Sequence, residues 1–183
     1  MKKLINFFLR NGKFKITFPV LAIGFALQAL LIVHYLPEFL HYSDNLKNPD
    51  QLFTYNFEYI TNLYQKLGEV GRKFYSKMLV VDFFYTTISG MGYSLLLAAL
   101  IKKEKWYVVL PFLLTLSDIF ENVAQIILMN NFPQISPFGV FVSSLFSSVK
   151  MTGGVISLLL ILFFTGKNIF NRMKIKRQIQ EKS

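Results

Sequence analysis

The chain has 183 residues, 53% hydrophobic and only 16% charged, with a formal net charge of +10 and no cysteine. Soluble domains carry charge on about a quarter of their residues, so this composition excludes an ordinary soluble domain. The missing cysteine excludes disulfide staples and thiol chemistry.

A hydrocarbon core is crossed by about 20 mainly apolar residues in a helix. Four segments qualify: 16–36, 78–101, 106–129 and 138–166. The expected fold is an all-α integral membrane protein, a single transmembrane domain over 1–183. It is a four-transmembrane-helix bundle with an amphipathic helical outer loop, 37–77, between helices 1 and 2.

Lys2, Lys3, Arg10, Lys13 and Lys15 precede the first span. Its apolar run is longer than the about 7–15 residues of a signal-peptide core, so it reads as a retained anchor. Gly24, Gln28, Tyr35 and Glu38 give it a polar face. At its outer end, in "HYLPEFLHYSD", His34, Glu38 and His41 fall at i, i+4 and i+7, with Asp44 beyond. Imidazole and carboxylate on one helical face are ligands for zinc or iron. Pro37 bends this turn, the chain has only two histidines, and interfacial His and Tyr suit the headgroup layer without a metal, so no metal and no other cofactor is expected, and these residues stay candidates only.

The outer segment offers Asn48 as a helix N-cap, Pro49 at the first helical position and Asp50 in the first turn. Phe53, Phe57, Ile60, Leu63, Tyr64, Leu67, Val70 and Phe74 then recur at helical spacing. They predict an amphipathic helix broken near Gly68 and Gly71, lying on the membrane surface or capping the bundle.

The second span carries Asp82, Tyr85, Thr86, Ser89 and Tyr93 on one stripe. The link "KKEK" forces spans two and three into an antiparallel hairpin. In the third span, "LLTLSDIFENVAQIILM", Asp118, Glu121, Asn122 and Gln125 occupy i, i+3, i+4 and i+7 and therefore share a face. The fourth span places Ser143, Ser147, Lys150, Gly154 and Ser157 on a comparable stripe. Small-residue series (Gly90, Ser94, Ala98; Ser144, Ser148, Thr152) mark close helix contacts.

Polar faces on all four helices predict an intramembrane pocket formed by Asp82, Tyr85, Asp118, Glu121, Asn122, Gln125, Ser147, Lys150 and Gln28. A lone charge at mid-membrane costs about 2.5–3.5 kcal/mol. Asp118 and Lys150 lie at matching depth in antiparallel helices, so a pair is expected there, either structural or functional. Asp82, Gln125 and Ser143 sit nearer the outer end, which predicts a pocket open outward and closed inward. Asp82, Asp118 and Glu121 exceed Lys150 in charge. The excess calls for a proton, a bound cation, or a loop cation such as Arg72, Lys73 or Lys77.

Basic residues mark alternate ends of the spans. Lys102, Lys103 and Lys105 lie in the second link, and Lys167, Arg172, Lys174, Lys176, Arg177 and Lys182 in the tail at 167–183, while "NNFPQISP" has no charge. That is the positive-inside pattern of a multi-pass protein with both termini cytoplasmic. The partners it implies are the bilayer and anionic lipid headgroups, not nucleic acid.

Four spans with a long first outer segment are similar in layout to tetraspanning families such as claudins. The outer cysteines and Trp-rich signature are missing, so no family is assigned. Three functions stay open. One is a pocket that binds a small apolar or cationic ligand or moves protons or cations. A second is an enzyme on a lipid or isoprenoid with Asp118 or Glu121 as acid/base. The third is an accessory subunit, or a homo-oligomer, whose polar faces engage another membrane chain.

Overall fold

The computed structural model describes residues 1–180. It is helical throughout, with no strand among the described residues. Four helices are long and apolar enough to cross a membrane: Phe14–Tyr42, Phe57–Ile101, Trp106–Asn130 and Pro137–Ile175. The first and last extend beyond the apolar runs from which they were read.

The chain opens with a short helix not anticipated from the sequence, α1 (Lys2–Asn11). Its Ile5 and Phe8 are buried beside Leu95, Ala98, Val108 and Val109, at the link end of the molecule. Among the basic residues that mark orientation and a headgroup partnership, Leu4, Ile5, Phe8 and Leu9 carry a helical apolar face. The helix α2 (Phe14–Leu30) then packs along α4 (Phe57–Ile101). It passes into a π-helical turn, Leu31–Tyr35, and the short helix α3 (Leu36–Tyr42), whose second residue is Pro37.

After α3 the chain turns inward. Asn48 does act as a cap, accepting from the Asp50 amide at 3.2 Å, but only for the single 3₁₀ turn Pro49–Gln51. Residues 52–56 are not helical, and Asn56 caps α4 by accepting from the Tyr59 amide at 2.8 Å. The outer amphipathic helix is therefore the first part of α4. Ile60, Leu63, Tyr64 and Leu67 are buried as expected, whereas Phe53 is 56% exposed, because the helical register begins after it.

Gly68 interrupts α4 with φ 61° and ψ −171°, a left-handed conformation that a Cβ disfavours. Across this break Arg72 donates to the Tyr64 carbonyl at 2.8 Å and lies 4.7 Å from the centre of the Phe132 ring. Beyond it α4 continues to Ile101, where Lys102 takes φ 54° and ends the helix.

A 3₁₀ turn, Trp106–Val109, leads into α5 (Leu110–Asn130), and α6 runs Pro137–Gln180, so the basic tail is helical as far as it is described. The helices α4, α5 and α6 pack on one another, and α4 also carries α2. Gly90 sets the α4–α5 spacing: a Cβ there would come within 2.2 Å of the Thr115 methyl carbon. Below it, Ser94 accepts from the Phe112 amide at 3.0 Å. The small residues of α6 serve the inserted segment, because Ser144, Ser147 and Ser148 all bond residues 52–55.

Candidate functional site

Lys150 is the centre. Its Nζ lies 2.6 Å from Glu121 Oε2, 2.8 Å from Asp50 Oδ1 and 3.0 Å from Asp118 Oδ1. The level of Asp118 and Lys150 along antiparallel helices brings them together, and the stripe spacing adds Glu121 one turn away. Asp50 was not foreseen. The sequence places it in the first turn of an outer helix on the membrane surface or capping the bundle, whereas the 3₁₀ turn carries it inward to Lys150. Asn48, only 2% exposed, holds it there: its Nδ2 donates to Asp50 Oδ2 at 3.1 Å, and its Oδ1 accepts from the Tyr75 hydroxyl at 2.8 Å.

The loop thus delivers a further carboxylate, and of the three reliefs expected for the excess charge, the loop cation is not the one found among the described residues. Arg72 is engaged at the Gly68 break, Lys73 pairs with Glu69 at 2.6 Å, and Lys77 is exposed. Asp50, Asp82, Asp118 and Glu121 surround one lysine, four acids to one base. Asp118 is further bonded by the Thr86 hydroxyl, and Asp82 accepts from Asn122 Nδ2 at 2.8 Å. One oxygen from each of Asp50, Asp82 and Asp118 lies within 4.8 Å of the other two.

Two different environments meet at Lys150. On the side of the inserted segment a closed polar cluster fills the space. The Tyr55 hydroxyl donates to Glu121 Oε1 at 3.0 Å and sits 2.8 Å from Ser143 Oγ. Gln125 Nε2 donates to both Tyr55 and Ser143, at 2.9 and 3.1 Å, and Gln125 Oε1 accepts from Tyr64 at 2.6 Å. Burial first, and then the Glu121 charge, push the Tyr55 hydroxyl well above the ordinary tyrosine range, so it stays a donor.

On the other side lies a cavity of about 480 Å³. From the carboxylates it runs between α4, α5 and α6 toward the Lys102–Lys105 link, past Tyr93, Pro111, Leu114, Leu158 and Ile161. The expected opening toward the long loop is therefore reversed, since Tyr55, Tyr64 and Gln125 close that end. The flank is open at Gly154, where an added Cβ would meet nothing within 4 Å, and Leu158 beside it is 56% exposed. Among the described residues, Ser157 Oγ, on a residue 6% exposed, and Asn122 Oδ1, on a residue 3% exposed, have no hydrogen-bond partner.

Of the residues expected to form the pocket, Asp82, Tyr85, Asp118 and Lys150 line this cavity. Glu121, Asn122 and Gln125 are buried behind them, and Ser147 is spent on the Leu52 carbonyl at 2.7 Å. Gln28 lies on α2, partly exposed and outside the cavity lining, which no residue of α2 joins. Asp50 was the missed member. Its only signal was the Asn-Pro-Asp turn followed by a run without charge, 51–57.

His34, Glu38 and His41 do not converge. The described residues gather one group of three metal-type ligands, and it is Asp50, Asp82 and Asp118. The π-helical turn shifts His34 off the helical register of the other two. Its ring packs edge-on against Tyr35, with centroids 5.2 Å apart, and Asp44 is bonded to Lys66.

The carboxylates already receive one ammonium group, and apolar walls lead away from them. Such a site can recognise a second cation bearing an apolar body. No protein-family model, curated protein or solved structure matches this chain.

Proposed function

We propose that this chain is a multi-pass membrane protein, with both termini cytoplasmic, whose intramembrane cavity binds an organic cation. One observation carries the reading: Asp50, Asp82 and Asp118 crowd together at the head of a cavity that runs on past Tyr93, Leu114, Leu158 and Ile161, with Lys150 as their only basic partner among the described residues. A buried charge of this kind is costly unless it is paired. Lys150 offsets one acid, and a ligand cation is suited to offset another.

The walls fit an apolar body on that cation, and the open flank at Gly154 is a route from the acyl region of the bilayer. An acid/base role for Glu121 is disfavoured, since its carboxylate is bound by Lys150 and Tyr55 and is 0% exposed. The anionic-lipid partnership rests on the basic faces of α1, the Lys102–Lys105 link and the α6 tail, which the positive-inside pattern assigns to the same side.

The test is saturable binding of tetraphenylphosphonium to the purified protein in detergent. The expected result is one site per chain, weakened at least about tenfold by Asp82→Asn, the equivalent of about 1.4 kcal/mol. Absence of saturable binding, or equal binding by the variant, would overturn the reading.

A further inference from the structure

The acids around Lys150 are not equivalent. Asp50, Asp118 and Glu121 each touch its ammonium group. Asp82 makes no ion pair among the described residues, and its hydrogen bond comes from the neutral Asn122 amide at 2.8 Å. Yet an Asp82 oxygen lies within 4.8 Å of oxygens of both Asp50 and Asp118. Like charges this close and largely out of water do not all ionise, and sharing a proton is the usual relief.

Asn122 can serve Asp82 in either state. As found, its Nδ2–H donates to the carboxylate, and a half turn of the amide presents Oδ1 to a carboxyl proton. That Oδ1 is buried and unpartnered. A second unpartnered group lines the cavity itself, Ser157 Oγ. It stands seven residues along α6 from Lys150, roughly 10 Å further down the helix. A buried hydroxyl that the fold leaves unpaired is satisfied by an occupant of the cavity.

We propose that the cavity exchanges one proton for one organic cation: Asp82 holds the proton while no cation is bound and releases it as the cation arrives. This rests on the cation-binding reading above. The step balances simply, since an Asp82 carboxyl and a ligand cation become a carboxylate–cation pair and a proton delivered to water. Only the carboxyl O–H bond breaks, and nothing is oxidised.

Lys150 is not the donor, because its ammonium group is held by Asp50, Asp118 and Glu121. The other groups facing the exchange are Asp50 from the inserted segment, Tyr85 and Tyr93 from α4, Asp118 from α5 and, beyond Lys150, Glu121. The helix α2 contributes none of the cavity lining. An occupant with a cationic head at Asp82 and a hydrogen-bonding group further along the cavity would reach Ser157 as well.

Tetraphenylphosphonium carries a fixed charge and no titratable proton, so every proton released comes from the protein. Calorimetric titration of the wild-type protein, in two buffers of different ionisation heat, counts those protons. Linkage requires that one released proton raise affinity about tenfold per pH unit wherever Asp82 is protonated before binding. The expected result is close to one proton per cation and an affinity that rises with pH. Asp82→Asn should bind more weakly, release close to no proton and show a flat pH profile. Binding with no proton release and no pH dependence in the wild-type protein would overturn the exchange while leaving the cation site standing. No binding at any pH would overturn both.

Discussion

The two sides of Lys150 are built to different rules. Toward the inserted segment, Tyr55, Glu121, Gln125 and Ser143 satisfy one another, and Tyr64 closes the network. Toward the link, Asp82 has only an amide, Ser157 has no partner, and Gly154 borders open space. The polar stripe read from the sequence is thus two things joined at one lysine. A satisfied network rigidifies a fold, whereas polar groups left wanting inside a cavity mark where something else binds. Substitutions on the two sides should therefore divide stability from binding.

The largest effect is expected where both sides depend on the same atom. Lys150→Met strands the charges of Asp50, Asp118 and Glu121 together. Breaking a buried pair typically costs about 3–5 kcal/mol. Folded yield and thermal midpoint in detergent should both collapse. Adding Asp118→Asn should recover little, because Asp50 and Glu121 remain unpaired. Full recovery in that double variant would mean that Lys150 answers Asp118 alone.

Tyr55→Phe sharpens the contrast from the closed side. It removes the donor to Glu121 and strands Gln125 and Ser143, a loss of about 1–3 kcal/mol. The thermal midpoint should fall while tetraphenylphosphonium affinity stays within about twofold, a few tenths of a kcal/mol. The Tyr55 hydroxyl keeps its proton in the fold, while the unfolded chain loses it near pH 10. Wild-type stability should therefore decline as pH rises past about 10, and less steeply in the variant.

The open side should behave in the opposite way. Gly154→Leu meets nothing within 4 Å of its Cβ, so folding should be unaffected while the side chain fills the mouth of the cavity. Tetraphenylphosphonium affinity should drop at least about tenfold with the thermal midpoint unchanged. A variant that unfolds instead would show that Gly154 is packed.

The smallest effect belongs to an exposed pair away from both sides. Asp44 is held below the usual carboxylate range by its hydrogen bond and charge contact with Lys66. A lowered carboxyl supports folding at neutral pH and loses that support as pH falls through its folded value. In thermal unfolding, Asp44→Asn should shift the midpoint barely at pH 7 and not at all in high salt.

Much of this was legible in the residues. Apolar runs gave four long helices, and the i, i+3, i+4, i+7 spacing put Asp118, Glu121, Asn122 and Gln125 on one buried face. Matching level brought Lys150 to Asp118. What failed to show depends on chain paths that no periodicity encodes. Nothing local to Asn48–Pro49–Asp50 says that the turn dives inward, because its stabilising partners, Tyr75, Ser147 and Lys150, lie 25 to 100 residues away. The direction of the opening was misread for the same reason. Polar residues near one end suggested a mouth, but Tyr55 from the segment before α4 and Tyr64 from its first turns fill it. Gln28 failed on rotation, since a single glutamine does not fix which face of α2 meets α4.

The most direct test of the division is to locate a bound cation. A crystal structure of the protein with tetraphenylarsonium, read by arsenic anomalous scattering, gives its position without reference to activity. The expected result is one site in the cavity beside Asp82, between Tyr93 of α4 and Gly154 of α6. Arsenic density on the Tyr55 side of Lys150, or only on the outer surface of the helices, would contradict it.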